Sequence, residues 1–292
     1  MTVKDKEQDL TPENPMRDPL RRRAVRRLLR AEVFYITGMT LFAALALLAY
    51  FNAYFGWDLR VARAVQSVEA PWFAEFMRQA SAFGDGWTPH VLAALTALVF
   101  LGFRRRSEAA GVALSAGGGA LITNTLKALI ARPRPAAELV GFAYEGRGLS
   151  FPSGHVTFYV CYFGFLFFAA YALLPRGSVL RRAALVLTAL PVVVVGFSRV
   201  YLRAHWPSDT LGAYLVAGLW LAFTLDAWGQ GWLHAKLALV LGLSGYHGYL
   251  SSYAERLARG ERALSGKQLR MLNEVPGVAV ALIVILVVIK PF

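Results

Sequence analysis

Long stretches with hardly a charged residue constrain this chain more than anything else in it. About 18 or more consecutive apolar residues are enough for a helix to cross a bilayer. The pattern predicts six spans: Val33 to Phe55, Trp87 to Phe103, Glu108 to Ile130, Gly154 to Leu174, Ala183 to Tyr201 and Ser208 to Trp228. Two further apolar runs follow, 232–253 and Val275 to Ile289. The second is short for a span and is completed by bilayer thinning or by snorkelling of Lys290. The expected fold class is all-α, an integral membrane six-helix bundle with one or two additional C-terminal membrane helices. Three parts are expected: a basic tail over 1–30, a membrane domain over 31–228 and a helical extension over 229–292. The chain is 57% hydrophobic and only 17% charged, a ratio that soluble domains rarely reach. No internal repeat is visible.

The formal net charge is +13. In a soluble protein that would suggest nucleic acid. Here the cations flank the apolar spans, so the partner they indicate is the bilayer and its anionic lipids, not nucleic acid. Arg17, Arg21, Arg22, Arg23, Arg26, Arg27 and Arg30 precede the first span. Arg104, Arg105 and Arg106 follow the second, and Arg176, Arg181 and Arg182 follow the fourth. The positive-inside rule puts these clusters in the cytoplasm and the loops 56–86, 131–152 and 202–207 outside. Residues 1–30 are expected to be disordered, turning amphipathic near the membrane, with no cleavable signal peptide. Residues 56–86, with Trp57, Trp72, Phe73 and Phe76, suggest an interfacial helix on the outer leaflet. Gly117, Gly118 and Gly119 allow close helix approach. The single cysteine, Cys161, reads as a small buried hydrophobe.

The outward ends of the spans carry an unusual polar set: Lys127, Arg134-Pro135, Pro152-Ser153-Gly154-His155, Ser198-Arg199, His205 and Asp209. Ionisable groups at membrane depth are expensive and usually functional. Lys127, Arg134 and Arg199 suit a phosphate, which arginine grips bidentately and lysine meets as a point charge. Ser153 and Gly154 open a helix, whose free N–H groups favour an anion. One histidine can attack phosphorus and the other can protonate the departing alkoxide. Asp209, four residues after His205, can fix that ring's tautomer. No cluster of carboxylates offers a metal site, so no metal and no cofactor is expected, and the cations would stabilise the transition state. Arg132, two residues before Arg134, reads as a second loop cation within reach of substrate. His90 matches no motif and reads as structural, and Trp206 as an interface anchor.

These clusters resemble the type 2 phosphatidic acid phosphatase family, whose pattern is Lys-x6-Arg-Pro, then Pro-Ser-Gly-His, then Ser-Arg-x5-His-x3-Asp. The resemblance covers about residues 30–228. It implies a six-helix transmembrane phosphatase bundle with His205 as nucleophile, Asp209 as its orienting partner and His155 as general acid. Lys127, Arg134, Ser153, Gly154 and Arg199 would bind phosphate, without metal. The implied activity is hydrolysis of a lipid phosphate or pyrophosphate through a phosphohistidine. Candidate substrates are phosphatidic acid, phosphatidylglycerol phosphate and undecaprenyl pyrophosphate. The implied location is the inner (plasma) membrane, with the catalytic face periplasmic or extracellular. Vanadate-dependent haloperoxidases share these motifs but are soluble. Nothing in the sequence indicates an oligomeric state.

The C-terminal segment reads differently. It contains Gly-Trp-Leu-His-Ala-Lys-Leu, Tyr-His-Gly-Tyr-Leu and Leu-Asn-Glu-Val-Pro, and ends in Val-Ile-Lys-Pro-Phe. Residues 231–292 are similar to the C-terminal half of the HemJ family, the membrane protoporphyrinogen IX oxidases of bacterial haem synthesis. No counterpart is visible to that family's N-terminal helices, which carry its haem-ligand histidine. His234, Lys236 and His247 would be either remnants of a porphyrin site or interfacial polar residues. The alternative function is thus a haem-biosynthesis-related membrane protein with a degenerate phosphatase half. Arg256, Arg259, Arg262, Lys267 and Arg270 crowd the loop 254–274. The charge rule would keep that loop inside, so 232–253 either spans against the rule or lies along the cytoplasmic interface.

Overall fold

The computed structural model describes residues 19–141, 148–227, 231–261 and 264–289; side chains are described within these except at 19–31, 226–227, 231–234, 237, 241 and 287–289. The first helix, α1 (Pro19–Phe51), begins inside the basic segment. Residues 19–30 are therefore helical, not disordered. Proline at a first helical turn, followed by Leu and Arg with good helix propensity, accounts for the early start. The helix stops short of the expected Phe55. The Asn52 side chain donates to Leu48 O at 2.8 Å, satisfying a terminal carbonyl.

The segment 56–86 forms two helices where one was expected, α2 (Gly56–Gln66) and α3 (Pro71–Ser81), then a 3-10 turn at Ala82–Gly84. Pro71 lacks an N–H and opens α3, which explains the break. Both helices pack on α8 (Val179–Tyr201). Next come α4 (Thr88–Gly102), α5 (Arg106–Ile130), the short α6 (Ala137–Val140), α7 (Gly154–Leu173) and α9 (Pro207–Ala227). Helix α7 packs between α5 and α8.

Close approach is what the small residues permit. A Cβ at Gly119 would lie 2.7 Å from Cys161 Sγ, and one at Gly118 would lie 2.2 Å from the Trp220 ring. Cys161 is buried, and its carbonyl accepts the Ser115 hydroxyl at 2.8 Å. Val186, Leu187, Leu190 and Val193 of α8 face outward, as expected where the surroundings are lipid.

Among the described residues, six helices are long and apolar enough to cross a membrane: α1 from Glu32, α5, α7, α8, α9 to Leu225, and α11 (Gly266–Ile289) over Gly266–Leu286. Helix α4 is apolar but shorter, at 15 residues. The chain is an all-α, multi-pass membrane protein, with no strand among the described residues.

The chain divides into two compact units, 1–221 and 222–292. In the second, α10 (Gly231–Ala258) packs on α11, and the Tyr246 hydroxyl donates to Leu272 O at 2.6 Å. Helix α11 starts nine residues before the expected Val275. Ser265 and Gln268 form a capping box there: Ser265 N–H donates to Gln268 Oε1 at 2.8 Å, and Gln268 N–H to Ser265 Oγ at 3.4 Å. That polar turn carries no apolar signal, yet it lengthens the run to 24 residues. Lys236 is half-buried and His247 exposed; the side chain of His234 lies outside the described residues.

Candidate active site

Helix α5 ends at Ala131, whose left-handed backbone (φ 52°) turns the chain while its N–H caps Lys127 O at 2.9 Å. That turn separates three cations. Lys127, on the last turn of α5, donates to Leu149 O at 2.6 Å. Arg134, beyond the turn, donates to Gly148 O at 3.2 Å and to Ala204 O at 2.9 Å. Arg132, between them, turns inward.

Arg132 corrects the reading of it as a loop cation near substrate. Its side chain is fully buried and bridges two carboxylates, Asp58 Oδ2 at 3.0 Å and Asp209 Oδ1 at 2.6 Å. It also donates to Ser208 Oγ and to the carbonyls of Asn52 and Ala53, and stacks over Phe55. One guanidinium thus joins the end of α1, the start of α2 and the start of α9. Asp58 completes the junction by accepting the backbone N–H groups of Phe55 and Ser208. Removing one partner of a buried pair leaves uncompensated charge. Arg132→Ala is expected to lower stability by about 3–5 kcal/mol, measured by denaturant unfolding in detergent. Arg134→Ala should change it far less. Equal effects would show that the junction does not hold the fold.

The N-terminus of α7 forms the next wall. Ser153 stands at the N-cap position without a side-chain cap bond, and Gly154 and His155 form the first turn. The Ser153 hydroxyl is buried with no hydrogen-bond partner among the described residues, and so is the Thr123 hydroxyl on α5. A buried hydroxyl without a partner is costly, and an anion oxygen would satisfy it. Arg199, near the end of α8, is buried and donates to Ser81 Oγ at 3.1 Å. Ser198 only bonds back to Val195 O.

His205 lies at the centre, 2% exposed. Burial, reinforced by Arg134, Lys127, Arg199 and His155, holds its imidazole well below the usual histidine range, so it is neutral at neutral pH. Its Nδ1 faces Asp209 Oδ2 at 3.6 Å, beyond hydrogen-bond range. Asp209 is otherwise engaged: Oδ2 accepts the Ser150 hydroxyl and the Trp206 N–H, and Oδ1 accepts Arg132. Trp206 itself is 1% exposed and stacks on Tyr54, so it is core and not an interface anchor. The ring fills the space between α2 and the turn into α9, packed with Ala62, Val140 and Val200.

Sequence reading missed Asp58 and Asp85. Asp85 Oδ1 lies 2.8 Å from His155 Nε2. A cavity of about 500 Å³ opens from His155 between α4 and α5, walled by Ala93, Ala97, Ala116 and Gly117, with Asn124 and His90 on its lining. Among the described residues, no group of three or more His, Cys, Asp or Glu side chains could hold a metal ion.

Residues 108–231 match the PAP2 superfamily. The chain is 26% identical over 189 residues to phosphatidylglycerophosphatase B of Bacillus subtilis, covering 65% of this chain and 91% of that protein. It superposes with a TM-score of 0.58 on the crystal structure of a transmembrane PAP2-type phosphatidylglycerolphosphate phosphatase from B. subtilis, at 25% identity, covering 66% of this chain and 95% of that one. It is also 38% identical over 104 residues to a protoporphyrinogen IX oxidase of Helicobacter pylori, 35% of this chain and 70% of that protein. That match is longer than residues 231–292, so the likeness to the oxidases starts upstream of them. The chain thus carries a PAP2 superfamily domain over residues 108–231 and, in addition, sequence shared with the protoporphyrinogen IX oxidases.

Proposed function

We propose that this protein hydrolyses the phosphate ester or pyrophosphate of a lipid through a phosphohistidine on His205. The observation that carries the reading is the surrounding of a buried, neutral His205 by Lys127, Arg134 and Arg199, beside the unpartnered Ser153 hydroxyl. In the first step His205 attacks phosphorus and the P–O bond to the lipid breaks. The cations, Ser153 and the amides opening α7 take up the charge on the phosphoryl oxygens. His155 gives its proton to the leaving oxygen. In the second step the neutral His155 takes a proton from water, whose oxygen attacks the phosphohistidine. Inorganic phosphate leaves and His205 is restored. Asp209, fixed by three donors, orients the His205 ring.

The cationic side chains supply the charge stabilisation, so the reaction needs no metal. The cavity beside His155, walled by alanine and glycine, suits an apolar tail. Phosphatidic acid, phosphatidylglycerol phosphate and undecaprenyl pyrophosphate are the substrates proposed. The site lies at the end of the bundle opposite the arginines at 104–106, 181 and 182, which favours a periplasmic or extracellular catalytic face. Purified protein in detergent should release phosphate from at least one of these lipids. Excess EDTA should leave the rate unchanged, and vanadate should inhibit by mimicking the five-coordinate transition state. Loss on chelation, restored by magnesium or zinc, would overturn the mechanism.

The match to the oxidases supports a second reading, a haem-pathway role for the C-terminal part. A Soret band in the purified protein, without phosphate release, would favour it over the first.

A further inference from the structure

His155 is expected to act on protons, yet its Nε2 is already engaged with Asp85 Oδ1 at 2.8 Å. Asp85 comes from the turn between α3 and α4, 70 residues away in sequence. That turn is tightly held. Asp85 N–H donates to Ala82 O at 3.2 Å, Asp85 O accepts Thr88 N–H at 3.1 Å, and Gly86 takes a left-handed φ of 54°. The backbone at Gly84 lies against the His155 ring, where an added Cβ would sit 2.3 Å from Cδ2. The Tyr159 hydroxyl, one turn along α7, donates to Ala80 O at 2.8 Å and ties α7 to the end of α3, which leads into that turn. The hydrogen bond to His155 also holds the Asp85 carboxyl below the usual carboxylate range, so it is charged at neutral pH. A carboxylate and a backbone face thus grip one imidazole from a rigid turn, while Nδ1 has no hydrogen-bond partner among the described residues.

We propose that Asp85 is a positioning residue for proton transfer: it accepts the Nε2–H of His155 and leaves Nδ1 to exchange the reaction's proton. This rests on the reading of His155 as general acid. When the P–O bond breaks, the Nδ1 proton passes to the leaving oxygen and the ring becomes neutral, still donating Nε2–H to Asp85. When water attacks the phosphohistidine, Nδ1 takes the proton back. Asp85 keeps the ring in the one tautomer that allows both transfers, as a carboxylate does for other catalytic histidines.

The test uses leaving groups. An alkoxide needs a proton to depart, whereas p-nitrophenolate does not. The rate constant kcat/KM covers the steps through departure of the alcohol, so it isolates this transfer. The full-length protein in detergent is assayed on dioctanoyl phosphatidic acid and on p-nitrophenyl phosphate, with Asp85→Asn, Asp85→Glu and His155→Ala in parallel. Vanadate inhibition reports whether the phosphate site is intact in each variant. The expected result is a loss of roughly 100-fold in kcat/KM for Asp85→Asn on the lipid, within the range general acids contribute. The loss on the aryl ester should be a few-fold at most, vanadate affinity should be unchanged, and Asp85→Glu should recover part of the loss. His155→Ala should show the same selectivity, more strongly. If His155→Ala is selective but Asp85→Asn is not, or if vanadate affinity falls with activity, Asp85 is structural and the inference fails alone. If His155→Ala loses both substrates equally, the general-acid reading fails, and the inference with it.

Discussion

His205→Ala is expected to lower phosphate release by at least about 10⁴-fold, the scale on which removing a nucleophile acts in enzymes whose residues work as a unit. The imidazole is the group that would bond to phosphorus, and no neighbour can replace it. Lys127, Arg134 and Arg199 are cations, Ser153 is a weak nucleophile without a base of its own, and His155 is engaged with Asp85. The variant should still fold. His205 Nδ1 has no hydrogen-bond partner among the described residues and only faces Asp209 at 3.6 Å, and Asp209 keeps its other three donors when the ring is truncated. Truncation does leave a small cavity in a buried site, so His205→Asn, closer in volume, serves as a second variant. Phosphate release, gel filtration and vanadate binding check the result. Near wild-type turnover in either variant would remove His205 from the mechanism.

Asp209→Asn is expected to behave differently, losing both turnover and stability. The carboxylate accepts the Arg132 guanidinium on Oδ1 and both the Ser150 hydroxyl and the Trp206 N–H on Oδ2. An amide can accept on one side only. Its NH2 would face either Arg132 or the Ser150 and Trp206 pair, donor against donor. Arg132 would keep only Asp58 as a charged partner. The change should therefore cost about 3–5 kcal/mol of stability, as breaking a buried pair does. Turnover should fall by about 10²–10⁴-fold as the His205 ring loses its orienting carboxylate. Unfolding in denaturant and kcat, measured on the same preparation, separate the two effects. A variant that loses turnover while keeping full stability would leave Asp209 with a tautomer role alone. One that keeps turnover would contradict both roles.

Much of this architecture is legible in the chain because it is local. Apolar runs report membrane helices, and a spacing such as Arg-x5-His-x3-Asp reports residues on one short turn and the helix after it. Contacts between distant segments leave no such trace. Arg132 and Arg134 are near-equivalent in sequence, and only the left-handed Ala131 and two remote carboxylates send one inward and the other to the site. Asp58 lies 74 residues before Arg132 and 150 before Ser208. It stands in a segment read as interfacial, where an acid looks like a solvated charge. Asp85 had one local signal, its place between Gly84 and Gly86, which marks a tight turn. Trp206 shows the same limit: tryptophan beside a membrane helix fits an interface belt, and only the packing of α2 reveals it as core. The start of α11 was hidden because a capping box is polar and periodicity weighs apolar residues.

The proposed reaction passes through a covalent phosphoryl group on His205, and the most direct measurement is to find it. His155→Ala should form this intermediate from p-nitrophenyl phosphate but hydrolyse it slowly, because the base that activates water is missing. After rapid quenching in alkali, which preserves phosphohistidine, peptide mapping by mass spectrometry should locate one phosphoryl group on His205, forming with the burst of p-nitrophenolate. A phosphoryl group on any other residue, or turnover with neither burst nor adduct, would contradict the account.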